Sequence, residues 1–178
     1  MSTRDLDNEL LGAIKDADFA KMQQLLEWGA NPDAADMLGD TALIWAVRAP
    51  MFADEYDMDE LTARRSFAVE AVRLLLEKGA DIDKPNNLGR SAAFQAIMDK
   101  NMALLTVFVQ HDASMLLKDT AGNSMARYAE LSNDDAVLEC VEKTAKAQIQ
   151  AAALRAEKVE AVKTRQQSLR SFVRTRKM

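Results

Sequence analysis

The residues able to do chemistry are few and scattered. There is one histidine, His111, and one cysteine, Cys140. Both fall on segments that read as helices, and a thiol–imidazole pair is the one nucleophilic arrangement they could make. Their positions within the repeating unit described below differ by four residues, and no third group is placed to orient the imidazole. His111 is explained by its place at a helix end beside Asp112, where the helix dipole favours it. Cys140 reads as an apolar filler. The acidic pairs Asp57/Asp59 and Asp134/Asp135 look like helix starts, since no glycine-containing ligand spacing surrounds them. No glycine-rich phosphate motif is present. The expectation is a non-enzymatic protein with no catalytic residue, no cofactor and no bound metal.

The elements that would position any such residue follow a period. Gly29-Ala30 and Gly79-Ala80 lie 50 residues apart, and Asp112-Ala113 follows after 33. The turn glycines Gly39, Gly89 and Gly122 keep the same two intervals. Agreement of two independent markers, with a spacing of 33, is the signature of a stacked repeat. Within each unit the sequence predicts a capped helix, a short turn, a second helix and a glycine or Asp112 stop in the left-handed region. The expected helices start with Leu10–Lys15, capped by Asn8, and Phe19–Glu27. Next come Thr41–Arg48, ended by Pro50, and Met58–Lys78, capped by Asp57 with Glu60 three residues on. Between Pro50 and Ser66 the unit carries seventeen extra residues, acidic and with Phe52 and Tyr56 in the loop. Ser91 and Ser124 cap two further helices. A last helix opens at Asn133 or Asp134 and runs to about Phe172 without a glycine or proline, roughly 60 Å long at 1.5 Å per residue.

Composition and charge bound the rest. Hydrophobic residues make up 48% and charged residues 29% of 178, which suits a globular chain with a core. With no basic-then-apolar leader and no run near the length of a membrane span, a cytoplasmic location is expected. The net charge of −5 divides into −12 for residues 1–140 and +7 for residues 141–178. An acidic body suits a basic protein partner. The basic tail could touch nucleic acid or anionic lipid, the weakest of its readings, because aromatic stacking residues are absent beyond Phe172.

AVRLLLEKGADID, residues 71–83, resembles the second helix and exit of the ankyrin repeat, and Ala68 to Gly89 carries the best match. The family's Thr-Pro-Leu-His opening is degraded to Thr41-Ala42-Leu43-Ile44, Ser91-Ala92-Ala93-Phe94 and Ser124-Met125-Ala126-Arg127. The resemblance implies an all-α repeat solenoid of helix–turn–helix units with short hairpin-like turns. Four repeats are expected at about 5–35, 36–85, 86–118 and 119–143, followed by a basic helical extension over 144–178. Apolar contacts from Ile44 and Phe94 would replace the family's histidine links. The resemblance further implies a protein-binding concave face. Matching the family's contact positions gives Met37, Asp40, Trp45 and Arg48, then Asn87, Arg90, Gln95, Met98 and Asp99, then Asn123, Tyr128 and Leu131, with Phe52 and Tyr56 added from the insertion. Leu38 and Leu88 are expected to pack against adjacent turns. Adaptor, inhibitor or immunity-type binding of another protein is the leading reading, with no small-molecule substrate. The second is an assembly or anchoring protein that works through its C-terminal helix, by docking, self-association or contact with an anionic surface.

Overall fold

The structure is a computed structural model that describes residues 3–53 and 57–175, with side chains described to residue 166. Tyr56, one of the expected contact residues, lies outside the described residues, as do Arg176 and Lys177. The described elements are α1 (Thr3–Lys15), α2 (Phe19–Glu27), α3 (Ala42–Arg48), a 3-10 turn (Ala49–Phe52), α4 (Met58–Glu77), α5 (Ala92–Met98), α6 (Met102–Gln110), α7 (Met125–Ser132) and α8 (Asp135–Thr175). There is no strand among the described residues, only isolated bridges between Ala35 and Thr41 and between Lys118 and Ser124 at the necks of two turns. The odd-numbered helices α1, α3, α5 and α7 pack in sequence as an inner layer. The even-numbered ones, α2, α4, α6 and α8, form the outer layer. This is an all-α repeat solenoid, in which each helix pair buries its apolar stripe against its neighbours.

The core lies between the layers. Leu10, Ile14, Met22, Leu43, Ile44, Leu75, Phe94, Ile97, Leu104 and Phe108 are fully buried there. Ile44 and Phe94 are among these buried side chains, and Phe94 meets Tyr128 of the following repeat edge-on. Second helices end at Gly29 and Gly79 with positive φ, and Asp112 takes φ 60° in their place. Aspartate tolerates that region better than most non-glycine residues.

Local readings needed correction in three places. Helix α1 begins at Thr3, so Asn8 lies in its interior and is not a cap. The reason is Leu6, which joins Leu10, Leu11 and Ile14 on the buried face and draws the first turn into the stack. Pro50 follows the end of α3 at Arg48, as expected, but it does not open a loop. It sits in the first turn of the 3-10 segment Ala49–Phe52, where its missing N–H costs nothing. The expected loop from Pro50 to Tyr56 is therefore partly this 3-10 turn. Ser91 occupies an N-cap position without capping. The Phe94 N–H donates to the Ser91 carbonyl instead (3.1 Å), and the hydroxyl is buried without a partner.

Asp57 does cap α4, accepting from the Asp59 and Glu60 N–H groups. Glu60 in turn pairs with Arg64 Nε (2.8 Å). Arg64 also donates to the Lys15 carbonyl (3.0 Å), which ties the extra turns of α4 to the end of α1.

Candidate functional site

Each inner helix hangs below a tight turn, and one carboxylate or amide organises each turn. Asp36 Oδ1 accepts from the Leu38 and Asp40 N–H groups. Asn86 Oδ1 takes Leu88 and Arg90, and Asp119 Oδ1 takes Ala121 and Asn123. These are equivalent positions in the period. The turns are also joined to one another. The Asn87 N–H donates to the Leu38 carbonyl (3.1 Å), and the Thr120 N–H donates to the Leu88 carbonyl (2.9 Å). Gly39 and Gly89 are required by this ladder. A Cβ on Gly39 would lie 2.9 Å from the Asn87 nitrogen, and one on Gly89 would lie 2.8 Å from the Thr120 nitrogen. Gly122, on the last turn, faces open space.

The two aromatic residues singled out on the inner helices serve these turns. Trp45 Nε1 donates to Asp36 Oδ2 (3.2 Å), and the Tyr128 hydroxyl donates to Asp119 Oδ2 (2.6 Å). Both pairs span nine residues at equivalent places. The Trp45 ring is stacked on Phe52 at 5.9 Å, with the Lys15 ammonium 3.9 Å from its centroid. Phe52 is thereby held against the stack, although 46% of it stays exposed. The Tyr128 ring meets Phe94 edge-on, and Arg90 Nη2 reaches its hydroxyl at 2.7 Å.

The polar residues continue as a chain across the inner face. Arg48 Nη1 pairs with Asp40 Oδ2, and Asn86 Nδ2 donates to Asp40 Oδ1 (2.6 Å). Gln95 Nε2 donates to both oxygens of Asp99. Asp40 and Gln95 are buried by these contacts, so their side chains hold the turns and helices together. The Tyr128 hydrogen bond is the largest influence holding the Asp119 carboxyl down at about 2, against an ordinary 3.8. The same bond pushes the Tyr128 hydroxyl up. Burial raises Asp99 above the ordinary value, with the Gln95 bond and the Arg48 charge opposing it. The inner-face aspartates 36, 40 and 119 are thus already matched by groups of this chain.

The face offers large apolar side chains to solvent. Met37 is 98% exposed, Leu38 67%, Leu88 53%, Leu131 65% and Met98 38%. Leu38 and Leu88, expected to pack against adjacent turns, keep more than half of their surface in solvent. The turns meet through main-chain bonds, which leaves both leucines outward. Asn87, Asp99 and Asn123 are exposed beside them, and Arg48 and Arg90 are half-buried. Residues 98 and 131 are equivalent in the period, as are 38 and 88, so the exposed apolar side chains recur along the stack. The sequence reading passed over Trp28, a helix C-cap that is 59% exposed on the outer side. Its only signal was an aromatic residue beside the Gly29 stop.

His111 and Cys140 remain apart in role. His111 is the C-cap of α6 and is exposed. Burial pushes the Cys140 thiol above its ordinary value, against the thiolate that a nucleophile needs. Among the described residues no group of three or more His, Cys, Asp or Glu could hold a metal. No described helix is long and apolar enough to cross a membrane.

The outer layer ends in α8. Val137 and Val141 are fully buried against the stack. Gln148 then closes the contact, its Oε1 accepting from the Met115 N–H (2.9 Å) and its Nε2 donating to the Ala113 carbonyl (2.8 Å). From residue 149 to 166 every side chain is exposed, including Ile149, Leu154, Val159 and Val162.

Three comparisons bear on this architecture. A family model of ankyrin repeats in many copies matches residues 61–109. An ankyrin repeat-containing protein of Treponema pallidum (strain Nichols) is 27% identical over 145 residues, covering 72% of this chain and 49% of its own. The chain therefore spans about half the length of that relative. Among solved structures, the ankyrin repeat domain of Bcl-3, a member of the IkappaB protein family, aligns with a TM-score of 0.60 at 25% identity. That alignment covers 75% of this chain and 50% of the other.

Proposed function

We propose that this chain, which is an ankyrin-repeat protein, works as a non-catalytic binding module that holds a partner protein against its turn tips and inner helices. The observation that carries the reading is the repeated exposure of Met37, Leu38, Leu88, Met98 and Leu131. Covering a leucine or methionine side chain gains about 1.5–3 kcal/mol, which is ample drive for an interface. Arg48, Arg90, Asn87, Asp99 and Asn123 form its polar border. Trp45 and Tyr128 contribute ring faces and rigidity, since their polar tips are already bound to Asp36 and Asp119. An adaptor, inhibitor or immunity-type role would each use this face in the same way. The acidic charge of the body still favours a basic surface at long range, but close contact at the inner face is governed by apolar side chains.

The test is capture of partners by the full chain, followed by affinity measurement with Leu88→Asp and Leu131→Asp. Each is expected to weaken binding by at least tenfold with little change in unfolding midpoint, because both side chains are already in water. Unchanged affinity in both would remove the inner-face reading.

A second reading rests on the free half of α8, where Ile149, Leu154, Val159 and Val162 are 52–56% exposed and basic residues accumulate. Here the helix docks on a partner or anchors the stack. A chain ending after Ile149 keeps the Gln148 contact. Retention of full partner affinity by that chain would exclude this reading.

A further inference from the structure

Val137 and Val141 mark the side of α8 that the stack buries, and Gln148 continues it. At about 100° per residue that side runs on through Ala152, Arg155, Val159 and Val162, all exposed. Lys158 and Lys163 border it, while Glu157 and Glu160 fall on the far side. Lys163 is paired with Glu160 at 3.6 Å, an exposed contact that holds little. The free half of α8 thus presents a narrow apolar seam with one cation inside it and one along each border. Two such seams laid together set lysine against lysine, so the helix is poorly suited to pair with itself.

The loop edge of the same molecule carries the opposite charge. In loops 30–35, 80–85 and 112–117 stand Asp33, Asp81, Asp83 and Asp112 against one cation, Lys84. The N–H bonds that Asp33 and Asp83 accept leave their charges in place, and Asp81 and Asp112 are exposed. Burial pushes the Asp83 carboxyl above its ordinary value and the Asp81 charge adds to the push, against the Ser114 N–H. Leu116, 44% exposed, gives this edge an apolar contact. Helix α8 leaves the stack here, where Gln148 holds Ala113 and Met115, and continues as one helix to Thr175. It cannot turn back over its own loops.

We propose that the free half of α8 lies along the loop edge of a second copy, with Arg155, Lys158 and Lys163 against the aspartate row and Val159 and Val162 against Leu116. The second copy returns the same contact, which makes a two-fold dimer. Opposite charge across the contact selects the partner and fixes its register. The occupant is a second copy because one chain carries both complementary surfaces, and its continuous helix keeps them apart. The proposal rests on the second reading above, names the partner of the helix, and leaves the inner face free. The pairing belongs to concentrated protein; in dilute solution the copies part and α8 stands clear.

The test is sedimentation equilibrium of the full chain over a wide range of protein concentration. The expected result is a monomer–dimer equilibrium. Arg155→Glu, Lys158→Glu and Lys163→Glu together should weaken the dimer at least tenfold, and so should Asp81→Asn with Asp112→Asn. Asparagine can accept the Asp83 N–H in place of Asp81 and tolerates the positive φ of position 112, so the loops keep their form. Unfolding midpoints in dilute solution, equal to the parent's, show that the variants fold. The sharpest arm is a mixture. The triple-glutamate chain and a chain carrying Asp81→Lys and Asp112→Lys each fail to dimerise alone, and together they should dimerise, because both contacts are then between opposite charges. A parent chain that stays monomeric at every concentration overturns the proposal; if α8 is then still needed to hold another protein, the second reading survives without it. A dimer of undiminished strength after Asp81→Asn with Asp112→Asn overturns the loop-edge contact.

Discussion

At its C-terminal end the stack is closed by a side chain, while at its N-terminal end the turn ladder is left open. Gln148 supplies one acceptor and one donor to the main chain of Ala113 and Met115, doing with a single amide what a further repeat would do with its loop. At the other end Asp7 reaches the Asn31 N–H (2.8 Å), so the loop edge is satisfied there too. The turn edge is not. Gly39 and Gly89 each press on the following turn, Gly122 presses on nothing, and among the described residues Met37 has no turn before it. The comparison teaches that the two edges of one solenoid are finished independently. The loop edge is sealed from end to end by side chains, whereas the turn edge is paired only where turns adjoin.

The glycines test this most severely. Gly39→Ala and Gly89→Ala force a side chain onto main-chain atoms at positive φ. Each should lower stability by about 3 kcal/mol or more, combining backbone strain with displaced packing. Gly122→Ala carries the strain alone, about 1–2 kcal/mol. Urea unfolding of the three chains reads the gap directly, and equal losses would contradict an open last turn. Next in size, Gln148→Ala should cost about 1–2 kcal/mol by orphaning two main-chain groups. It should also speed amide exchange at Met115, whereas Asp7→Ala should do the same at Asn31 and leave Met115 untouched.

Acid sharpens the comparison between turns. The folded Asp119 carboxyl lies at about 2, below its ordinary 3.8. Its contribution is therefore fully present above about pH 4 and is lost as pH falls through about 2. Tyr128→Phe removes the leading cause of that depression. The variant should be less stable than the parent near neutrality, and the difference should shrink between pH 4 and pH 2. A difference that stays constant through that window would mean that the hydroxyl does not govern Asp119. Smallest of all, Val159→Ser and Val162→Ser should shift the unfolding midpoint within error, because both positions are more than half exposed. A measurable loss would show that the free half of α8 is covered in solution.

The sequence carried the repeat because its markers are local. A glycine stop, a turn glycine and a capping hydroxyl each act within a few residues of themselves, so their spacing survives as text. The length of α8 was legible for the same reason, through a run of helix formers without glycine or proline. The face was harder. Asp40 and Gln95 occupy contact positions of the family yet are buried, because their partners Arg48, Asn86 and Asp99 come from a turn and from helix ends that meet only after folding. Trp45 and Tyr128 were read as contact residues, although each lies nine residues after a turn aspartate that binds its polar tip. Gln148 carried no signal at all, being one amide in an alanine-rich helix.

The aspartates of the loop edge have one more consequence. Asp33 reaches Asp81 and Asp83 reaches Ser114, each at 2.9 Å, although 48 residues separate the first pair and 31 the second. To that edge the long unit and the short one are the same size, and the surplus chain is taken up elsewhere, part of it by the first turns of α4, which Arg64 ties to the end of α1. A foreign domain spliced between Ala53 and Asp57 would therefore ride outside the register of the stack. A fluorescent protein inserted there should leave the unfolding midpoint of the repeats where it was.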